Sequence, residues 1–246
     1  KALVISYELA ARAAISLHAS VDDYHTSGAW NSLGVAALGC RLRGSSKEQL
    51  RHALGIAEYH GPRSQMMREI ATPTMLHDGS GMGALTGAMA CLMAEHGFEG
   101  APAVTVEAAE AAPFWDDLGQ FWTVEENYIK PYPICRWAHA AIDAADTLVK
   151  THDLHVDQIS SVQINTFQES ASLFPGMPDT TSEAQYSLAF AVAVHLKHGH
   201  IGAEEVSGQA LKDPEIAAIV EKISVCEEPR HSVRFPEGRW SDMTIT

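Results

Sequence analysis

Positive charge is scarce in this sequence. Its 246 residues include 31 Asp and Glu against 17 Lys and Arg, which gives a formal net charge of −14 at pH 7. A nucleic-acid-binding surface needs clustered Lys and Arg, because these side chains replace the counterions of the phosphates. A nucleic acid is therefore not an expected partner. Any site for an anionic substrate must also gather its few cations locally.

Long hydrophobic runs are missing as well. The longest apolar stretches, such as residues 187–196, are far shorter than the roughly 20 apolar residues that span a bilayer. The sequence shows no signal peptide and no polybasic tract, so neither secretion nor a membrane surface is predicted. The chain starts with Lys1 inside a helical pattern and stops inside a predicted strand. We therefore expect it to be incomplete at both ends.

Cysteine is rare and widely spaced, and no CxxC pair occurs. Cys40 and Cys91 lie among small apolar residues in helical patterns, which is typical of buried thiols. Cys135 and Cys226 are isolated in the second half of the chain. A disulfide framework is therefore not expected, and a reducing cytoplasm is the predicted compartment.

Motifs for metal or nucleotide chemistry are also absent. His195, His198 and His200 approach metal-ligand spacing, but Lys197 lies between them and no acidic ligand stands at a matching distance. The pattern favours a histidine cluster on the surface at a helix end over a metal site. There is no GxSxG elbow, no P-loop and no Rossmann fingerprint.

The first half of the chain is instead rich in helical patterns. The predicted helices cover residues 2–17, 26–43, 45–59 and 79–96. Gly44, Gly61 and Gly97 end three of them. The pattern weakens between residues 107 and 126, and we place a domain boundary there. Residues 1–126 are thus predicted to form an all-helical domain that is only partly present.

The second half mixes helices with strands. Residues 159–167 alternate apolar and polar side chains, as a half-buried strand does. Residues 223–226 and 243–246 are predicted to form short strands, and helices are predicted over 136–151, 182–198 and 213–221. Residues 127–246 therefore predict a smaller, partial α+β domain. The predicted fold class is mainly α with that α+β addition.

One helix is unusually rich in small residues. Glycine or alanine on a helix lets another backbone approach closely, which in a membrane would indicate dimerising helices. This segment is too short for that and ends at Glu95, so close packing inside a soluble helical domain is favoured. The small residues are Gly81, Gly83, Ala84, Gly87, Ala88 and Ala90.

Polar residues cluster in three stretches where a plain core would not need them. The first, residues 22–28, places His25 directly before a helix, with Thr26 and Ser27 available as caps. A helix N-terminus presents unpaired N–H groups and favours negative charge, so it is a natural seat for a carboxylate. The alternative is a surface cap with an incidental histidine.

The second stretch, residues 73–81, leads into the glycine-rich helix. Here His77 can act as an acid or a base, and its neighbour Asp78 can orient or charge it. The alternative is a loop held together by its turn residues.

The third stretch, residues 130–139, has two prolines that fix an extended entry into a helix. Lys130, Arg136 and His139 bring three potential cations together, and a lysine can bind a carboxylate as a point charge. The alternative is a solvated basic helix start.

Taken together and in this order, the three stretches resemble the MmgE/PrpD family. Residues 24–28 are similar to its aromatic-His-Thr-Thr-Gly block and residues 76–79 to its Leu-His-x-Gly block. Residues 130–135 are similar to its Lys-x-Tyr-Pro-x-Cys block, and residues 185–188 to a Gln-Phe-Ser-Leu motif that opens a later helix. The likeness covers nearly the whole chain.

The resemblance implies a large all-α domain joined to a smaller α+β lid domain, with the active site in the cleft between them. Family members include 2-methylcitrate dehydratase, cis-aconitate decarboxylase and iminodisuccinate epimerase. They need no metal or organic cofactor and are commonly homodimers. The resemblance also makes His25 a catalytic acid or base and Lys130 a catalytic or substrate-binding cation. The other residues that it assigns to the same cleft are Thr26, Ser27, His77, Arg136, His139 and Tyr186.

Two departures from the family pattern affect the expected reaction. Thr74 stands where the family often has a lysine, which counts against the decarboxylase and methylcitrate readings, although His77 can partly substitute for that cation. The family also has an earlier Asp-rich segment with a histidine, which would precede Lys1. Among the family's reactions we still place first a cofactor-independent hydro-lyase, of 2-methylcitrate dehydratase-like type, that acts on a small di- or tricarboxylic acid. An epimerase of an iminodisuccinate-like acid ranks second, and a non-catalytic carboxylate-binding protein third.

Overall fold

The computed structural model describes residues 1–246. The chain is mainly helical with one three-stranded sheet, as predicted. It divides into two compact units, Lys1–Glu69 with Leu76–Tyr128 and Ile70–Met75 with Ile129–Thr246. The helices are α1 (Ala2–His18), α2 (Gly28–Arg43), α3 (Lys47–His60), α4 (Met66–Ala71), α5 (Ser80–Glu95), α6 (Val104–Glu107), α7 (His139–His152), α8 (Gln168–Ala171), α9 (Thr181–Gln185), α10 (Leu188–His198), α11 (Pro214–Val220) and α12 (Pro229–Ser232). The strands are β1 (Val162–Thr166), β2 (Ile223–Glu227) and β3 (Ser241–Ile245).

The first unit is built around α2, which packs against α1, α3 and α5. Small side chains dominate these contacts. Ala and Cys therefore let the helix axes approach closely. Ile56 is the largest member of the main cluster. Its other buried members are Ala36, Cys40, Ala53, Ala57, Ala90, Cys91 and Ala94.

Cys40 and Cys91 are buried, as predicted. Their Sγ atoms lie 3.5 Å apart between α2 and α5. Burial raises the pKa of Cys40 to about 11, and the contact with Cys91 adds to the shift. Cys40 is therefore an unreactive thiol at neutral pH.

Glycine brings α2 and α5 into backbone contact. A Cβ atom at Gly83 would lie 2.5 Å from the carbonyl oxygen of Gly28, and one at Gly87 would lie 2.3 Å from that of Ser32. Close packing inside the helical unit, predicted for this stretch, is confirmed at these two positions, whereas Gly81 meets nothing within 4 Å. No helix in the chain combines the length and apolarity that crossing a membrane requires.

We expect Gly83→Ala to destabilise the protein and Gly81→Ala to be harmless. At Gly83 the new methyl group collides with backbone that cannot rotate away, and overpacking of this kind costs about 1–3 kcal/mol. At Gly81 the same change meets open space and gains roughly 0.5–1 kcal/mol of helix propensity. Chemical denaturation of both variants measures the difference. Equal stabilities would show that the two helices do not meet at Gly83.

The second unit contains the sheet, in the order β2-β1-β3. Strand β1 runs parallel to β2, with Val162 opposite Ile223, and antiparallel to β3, with Val162 opposite Ile245. Helix α7 packs on β3 and on α10, which in turn packs on α11. Residues 188–196 of α10 are all buried, which explains why they are apolar apart from His195.

The prediction of one continuous helix over residues 182–198 is wrong, because the chain breaks between α9 and α10. The carbonyl of Tyr186 accepts a hydrogen bond from the N–H of Phe174 instead of continuing a helix. Ser187 then starts α10 as its N-cap, where its Oγ accepts from the N–H of Phe190 at 3.3 Å. The motif at residues 185–188 therefore forms a junction between two helices.

The predicted surface cluster of histidines at the end of α10 is also partly wrong. His198 and His200 are exposed, but His195 is buried and its Nε2 lies 3.1 Å from Oδ1 of Asp146 on α7. His195 therefore belongs to the packing between two helices. The chain contains no group of three or more His, Cys, Asp or Glu side chains arranged to hold a metal ion.

Candidate functional site

His25 lies in a short extended segment just before α2. The N–H of Thr26 donates to the carbonyl of Ser64 at 2.8 Å, and the N–H of Met66 donates to the carbonyl of Tyr24 at 2.6 Å. These two bonds hold the backbone on either side of His25 against residues 64–66. The His25 side chain is only 8% exposed, so its position is set by the protein and not by solvent.

The ring of His25 has a defined tautomer. Its Nδ1 lies 2.8 Å from the carbonyl oxygen of Asp23. A carbonyl only accepts hydrogen bonds, so Nδ1 carries a proton, and in the neutral ring Nε2 carries the lone pair. His25 therefore offers a basic nitrogen at Nε2, the arrangement that a general base requires.

The N-terminus of α2, directly after His25, has unused hydrogen-bonding capacity. Thr26 is only 5% exposed, and its buried Oγ1 has no hydrogen-bond partner. A buried hydroxyl without a partner costs about 1–3 kcal/mol and is uncommon in native proteins. Together with the partial positive charge of the 16-residue helix, this hydroxyl makes the start of α2 suited to an anionic oxygen.

A directional chain of hydrogen bonds joins the starts of α2 and α5. The amide of Asn31 donates to Oγ of Ser80 at 3.4 Å, and the hydroxyls of Ser80 and Ser27 lie 2.7 Å apart. Ser27 donates to Oδ2 of Asp78 at 3.2 Å. Since Ser27 has only one proton and gives it to Asp78, Ser80 donates to Ser27. The chain thus ends on the carboxylate next to His77, and it fixes the second predicted stretch against the first.

The loop that carries His77 has an uncommon backbone. His77, Asp78 and Gly79 have φ values of 40°, 61° and 63°, so two non-glycine residues in succession lie in the left-handed region. Conformations of this kind cost on the order of 1–3 kcal/mol each and cluster at functional sites. The side chain of His77 is exposed at this point.

The third stretch lies in the second unit, where Lys130 and His139 share one acceptor. The Nζ of Lys130 lies 3.2 Å and the Nε2 of His139 lies 3.1 Å from the carbonyl oxygen of Ile134. His139 is only 2% exposed, and burial lowers its pKa despite this hydrogen bond, with the charges of Arg136 and Lys130 adding to the effect. Of the three potential cations predicted here, His139 is therefore the one whose neutral form is favoured, by burial and by two neighbouring positive charges. Lys130 and half-buried Arg136 are the cations of this stretch.

The motifs at residues 130–135 and 185–188 pair with each other. The N–H of Cys135 donates to the carbonyl of Gln185 at 2.7 Å, and the side-chain amide of Gln185 donates to the carbonyl of Pro133 at 3.1 Å. Tyr186 follows directly and is buried, at 7% exposure. The structure thus gathers the predicted residues into two sets, one on each unit. The first set is His25, Thr26, Ser27 and His77, and the second is Lys130, Arg136, His139 and Tyr186.

Two protein-family models match nearly all of the chain. The model of the MmgE/PrpD N-terminal domain matches residues 1–112, and that of the MmgE/PrpD C-terminal domain matches residues 132–246. The chain belongs to the MmgE/PrpD family. No curated protein matches it significantly.

In this MmgE/PrpD chain, the motif blocks are accompanied by residues that the sequence did not single out. Tyr132 lies within a quoted motif, and its ring stands edge-on to both His139 and His195, at 5.3 and 6.0 Å between centroids. Its hydroxyl donates to Asp143 at 3.0 Å; burial and this carboxylate raise the pKa of Tyr132 to about 12. Tyr132 is therefore a neutral hydrogen-bond donor.

Asn31 and Ser80 were missed in the first unit of the MmgE/PrpD chain. Both residues line a cavity of about 220 Å³ beside α1 and α5. No local motif marks either of them, because their role depends on the contact between α2 and α5. The proximity of Ser80 to the Leu-His-x-Gly block was the one available signal.

Proposed function

We propose that this protein is a cofactor-independent hydro-lyase that removes water from, or adds it to, a small di- or tricarboxylic acid. The observation that carries the proposal is the buried His25, with a basic Nε2, directly before a helix N-terminus that has an unpartnered hydroxyl at Thr26. Membership of the MmgE/PrpD family supports the same class of chemistry.

The proposed reaction begins with removal of a proton from the carbon next to a carboxylate. Nε2 of His25 accepts this proton, while negative charge develops on the carboxylate oxygens. The C–O bond on the adjacent carbon then breaks, and the hydroxyl group takes up a proton and departs as water. A carbon–carbon double bond remains. His77 is the proposed donor of that second proton. A general acid or base of this type raises the reaction rate by about 10²–10⁴-fold.

The carboxylates of the substrate need hydrogen-bond donors and positive charges that do not exchange protons during the reaction. The hydroxyl of Thr26, the backbone N–H of Ser27 and the dipole of α2 are proposed to hold one carboxylate. Lys130 and Arg136 are proposed to supply the positive charge that the acidic chain otherwise lacks. His139 and Tyr186 are proposed to contact the substrate as neutral groups.

Epimerisation is the second candidate. It needs one group to remove a proton and another to return it on the opposite face, and this chain offers two histidines, His25 and His77. The absence of a lysine at Thr74 favours either of these reactions over decarboxylation.

Proton NMR in D₂O tests the proposal with a panel of citrate-like, aconitate-like, tartrate-like and amino-dicarboxylate acids. Loss of the signal of the hydroxyl-bearing carbon, with new vinyl signals, identifies a dehydratase. Deuterium exchange without net conversion identifies an epimerase. If every acid stays unchanged at high protein concentration but one of them binds, the protein is a carboxylate-binding protein and the proposed reaction is wrong.

Lys130→Met is expected to raise KM for the carboxylate substrate and to lower kcat/KM about 10–100-fold. A hydrogen bond to a charged group contributes about 1.5–3 kcal/mol, and methionine keeps most of the length of the side chain without its charge. Lys47→Met, at an exposed position on α3, is the matched control and should leave kinetics unchanged. Equal kcat/KM values for the two variants would remove Lys130 from the substrate site.

We also propose that the protein acts in the cytoplasm as a homodimer. Helix α5 exposes four large apolar side chains and has no charged residue before Glu95, which supports contact between two copies of the chain along this face. The exposed residues are Met82, Leu85, Met89 and Leu92. Sedimentation velocity measures the mass, and a purely monomeric protein at micromolar concentration would contradict the dimer.

A further inference from the structure

His18, the last residue of α1, makes a hydrogen bond through each ring nitrogen. Its Nδ1 lies 2.9 Å from the carbonyl oxygen of Ala14, and its Nε2 lies 3.1 Å from the backbone nitrogen of His25. A carbonyl only accepts and an N–H only donates. Nδ1 must therefore carry the proton and Nε2 the lone pair. Only neutral His18, in this single tautomer, satisfies both partners.

The ring of His18 also contacts one residue before and one residue after His25 in the sequence, Tyr24 and Trp30. It stacks on Tyr24, with centroids 4.6 Å apart, and meets Trp30 of α2 edge-on at 5.1 Å. The ring of His25 itself lies 6.4 Å away. His18 thus joins the end of α1, the segment that carries His25 and the first turn of α2.

We infer that His18 is a positioning residue for His25, and that it acts only in its neutral form. The inference rests on the proposed role of His25 as the base. When His18 takes up a proton at Nε2, its acceptor becomes a donor that faces the N–H of His25. The hydrogen bond is then lost, and two like-charged rings share the site if His25 is protonated as well.

The surroundings of His18 favour the neutral form. Burial lowers the pKa of His18; the hydrogen bond to Ala14 raises it, and the charge of His25 lowers it again, with a net result below the usual 6.5. His25 is the titratable side chain whose charge contributes to this shift, and Tyr24 and Trp30 present uncharged rings. Between pH 6.5 and the folded pKa, His18 is therefore protonated to a larger extent in the unfolded chain than in the folded one. His18 thus contributes a loss of stability as the pH falls from 6.5 through its folded pKa.

Nitrogen-15 NMR of the histidine rings tests the inference without any substrate. We expect His18 at pH 7 to show the neutral tautomer that is protonated at Nδ1. We also expect His18→Phe, which keeps a stacking ring but has no acceptor, to shift the ring signals of His25. His96→Gln is the control, because His96 makes the same contact with the carbonyl four residues earlier but is exposed, directly after the end of α5. A His18 signal protonated at Nε2, or a His25 signal unchanged in His18→Phe, would overturn the inference even if no turnover were found.

The pH profile of kcat, on whichever acid of the panel is converted, separates positioning from a merely structural role. His18→Phe should lower kcat about tenfold or more with little change in KM, since a misplaced base reacts poorly. His18→Gln places an amide oxygen near the former Nε2 and cannot titrate. It should recover most of the rate and retain more of it than the wild type as the pH falls from 6.5 to 5. Identical acid limbs in wild type and His18→Gln, or full activity in His18→Phe, would contradict the positioning role.

Discussion

Replacing His25 with glutamine is expected to lower kcat by about 10²–10⁴-fold, the usual contribution of a general base. The loss follows from the ring geometry. Nδ1 is fixed as a donor to the carbonyl of Asp23, so Nε2 is the basic position, and an amide there is not basic. KM should change much less, because the carboxylates are held by other groups. The measurement is the initial rate of the NMR assay at pH 7 to 8.

A loss of folding would give the same reduction in rate, and two further measurements exclude it. The thermal unfolding midpoint of His25→Gln should stay within a few degrees of wild type. Added imidazole should restore part of the rate in a smaller variant, His25→Gly, by supplying the missing base. His198→Gln, at an exposed position at the end of α10, should behave as wild type. Full activity in His25→Gln would remove this residue from the chemical step and leave His77 as the base to test.

The helices of the first unit were largely predictable because their signals are local. Ser46 caps α3 by accepting from the N–H of Gln49, and Gly44 ends α2 in the left-handed region. The break at Tyr186 was not predictable, since the residue that diverts its carbonyl, Phe174, is twelve positions earlier and is brought there by the fold. Local sequence patterns contain no information about a partner that only the fold brings close.

The same distinction applies to the candidate site. The residue types of His25, His77 and Lys130 indicated chemistry, because polar side chains that come shortly before a helix have a local physical meaning. Their protonation states depend on three-dimensional partners. His139 is a potential cation by residue type, but burial lowers its pKa and the charges of Arg136 and Lys130 add to the shift. His18 attracted no attention as a single histidine at the end of a helix, and its importance arises from one contact with the backbone of His25.

Replacing Arg12 with methionine is expected to lower the free energy of unfolding by about 3–5 kcal/mol, a large share of the total in a protein of ordinary stability. Arg12 is 2% exposed, and its Nε lies 2.6 Å from Oε1 of Glu8, which is 1% exposed. Its Nη atoms donate to the carbonyls of Phe114 and Phe121 at 2.6 and 2.8 Å, and to Asp117. Methionine keeps the apolar length of the side chain but leaves the Glu8 charge buried with fewer donors. Arg43→Met, which breaks the exposed pair with Glu95, should cost no more than about 1 kcal/mol.

The pH dependence identifies the buried charge as the cause of that loss. Burial alone would raise the pKa of Glu8, but hydrogen bonds from Arg12, Val124 and Thr123 lower it below 4.5. In the wild type the stabilisation from Glu8 is present above pH 4.5 and is lost as the pH falls through the folded pKa. In Arg12→Met the carboxyl has lost its main partner and is better buried in its protonated form. The stability difference between the two proteins should therefore shrink as the pH falls from 7 to 4. A difference that stays constant over this range would show that lost packing, and not an unpaired charge, destabilises the variant.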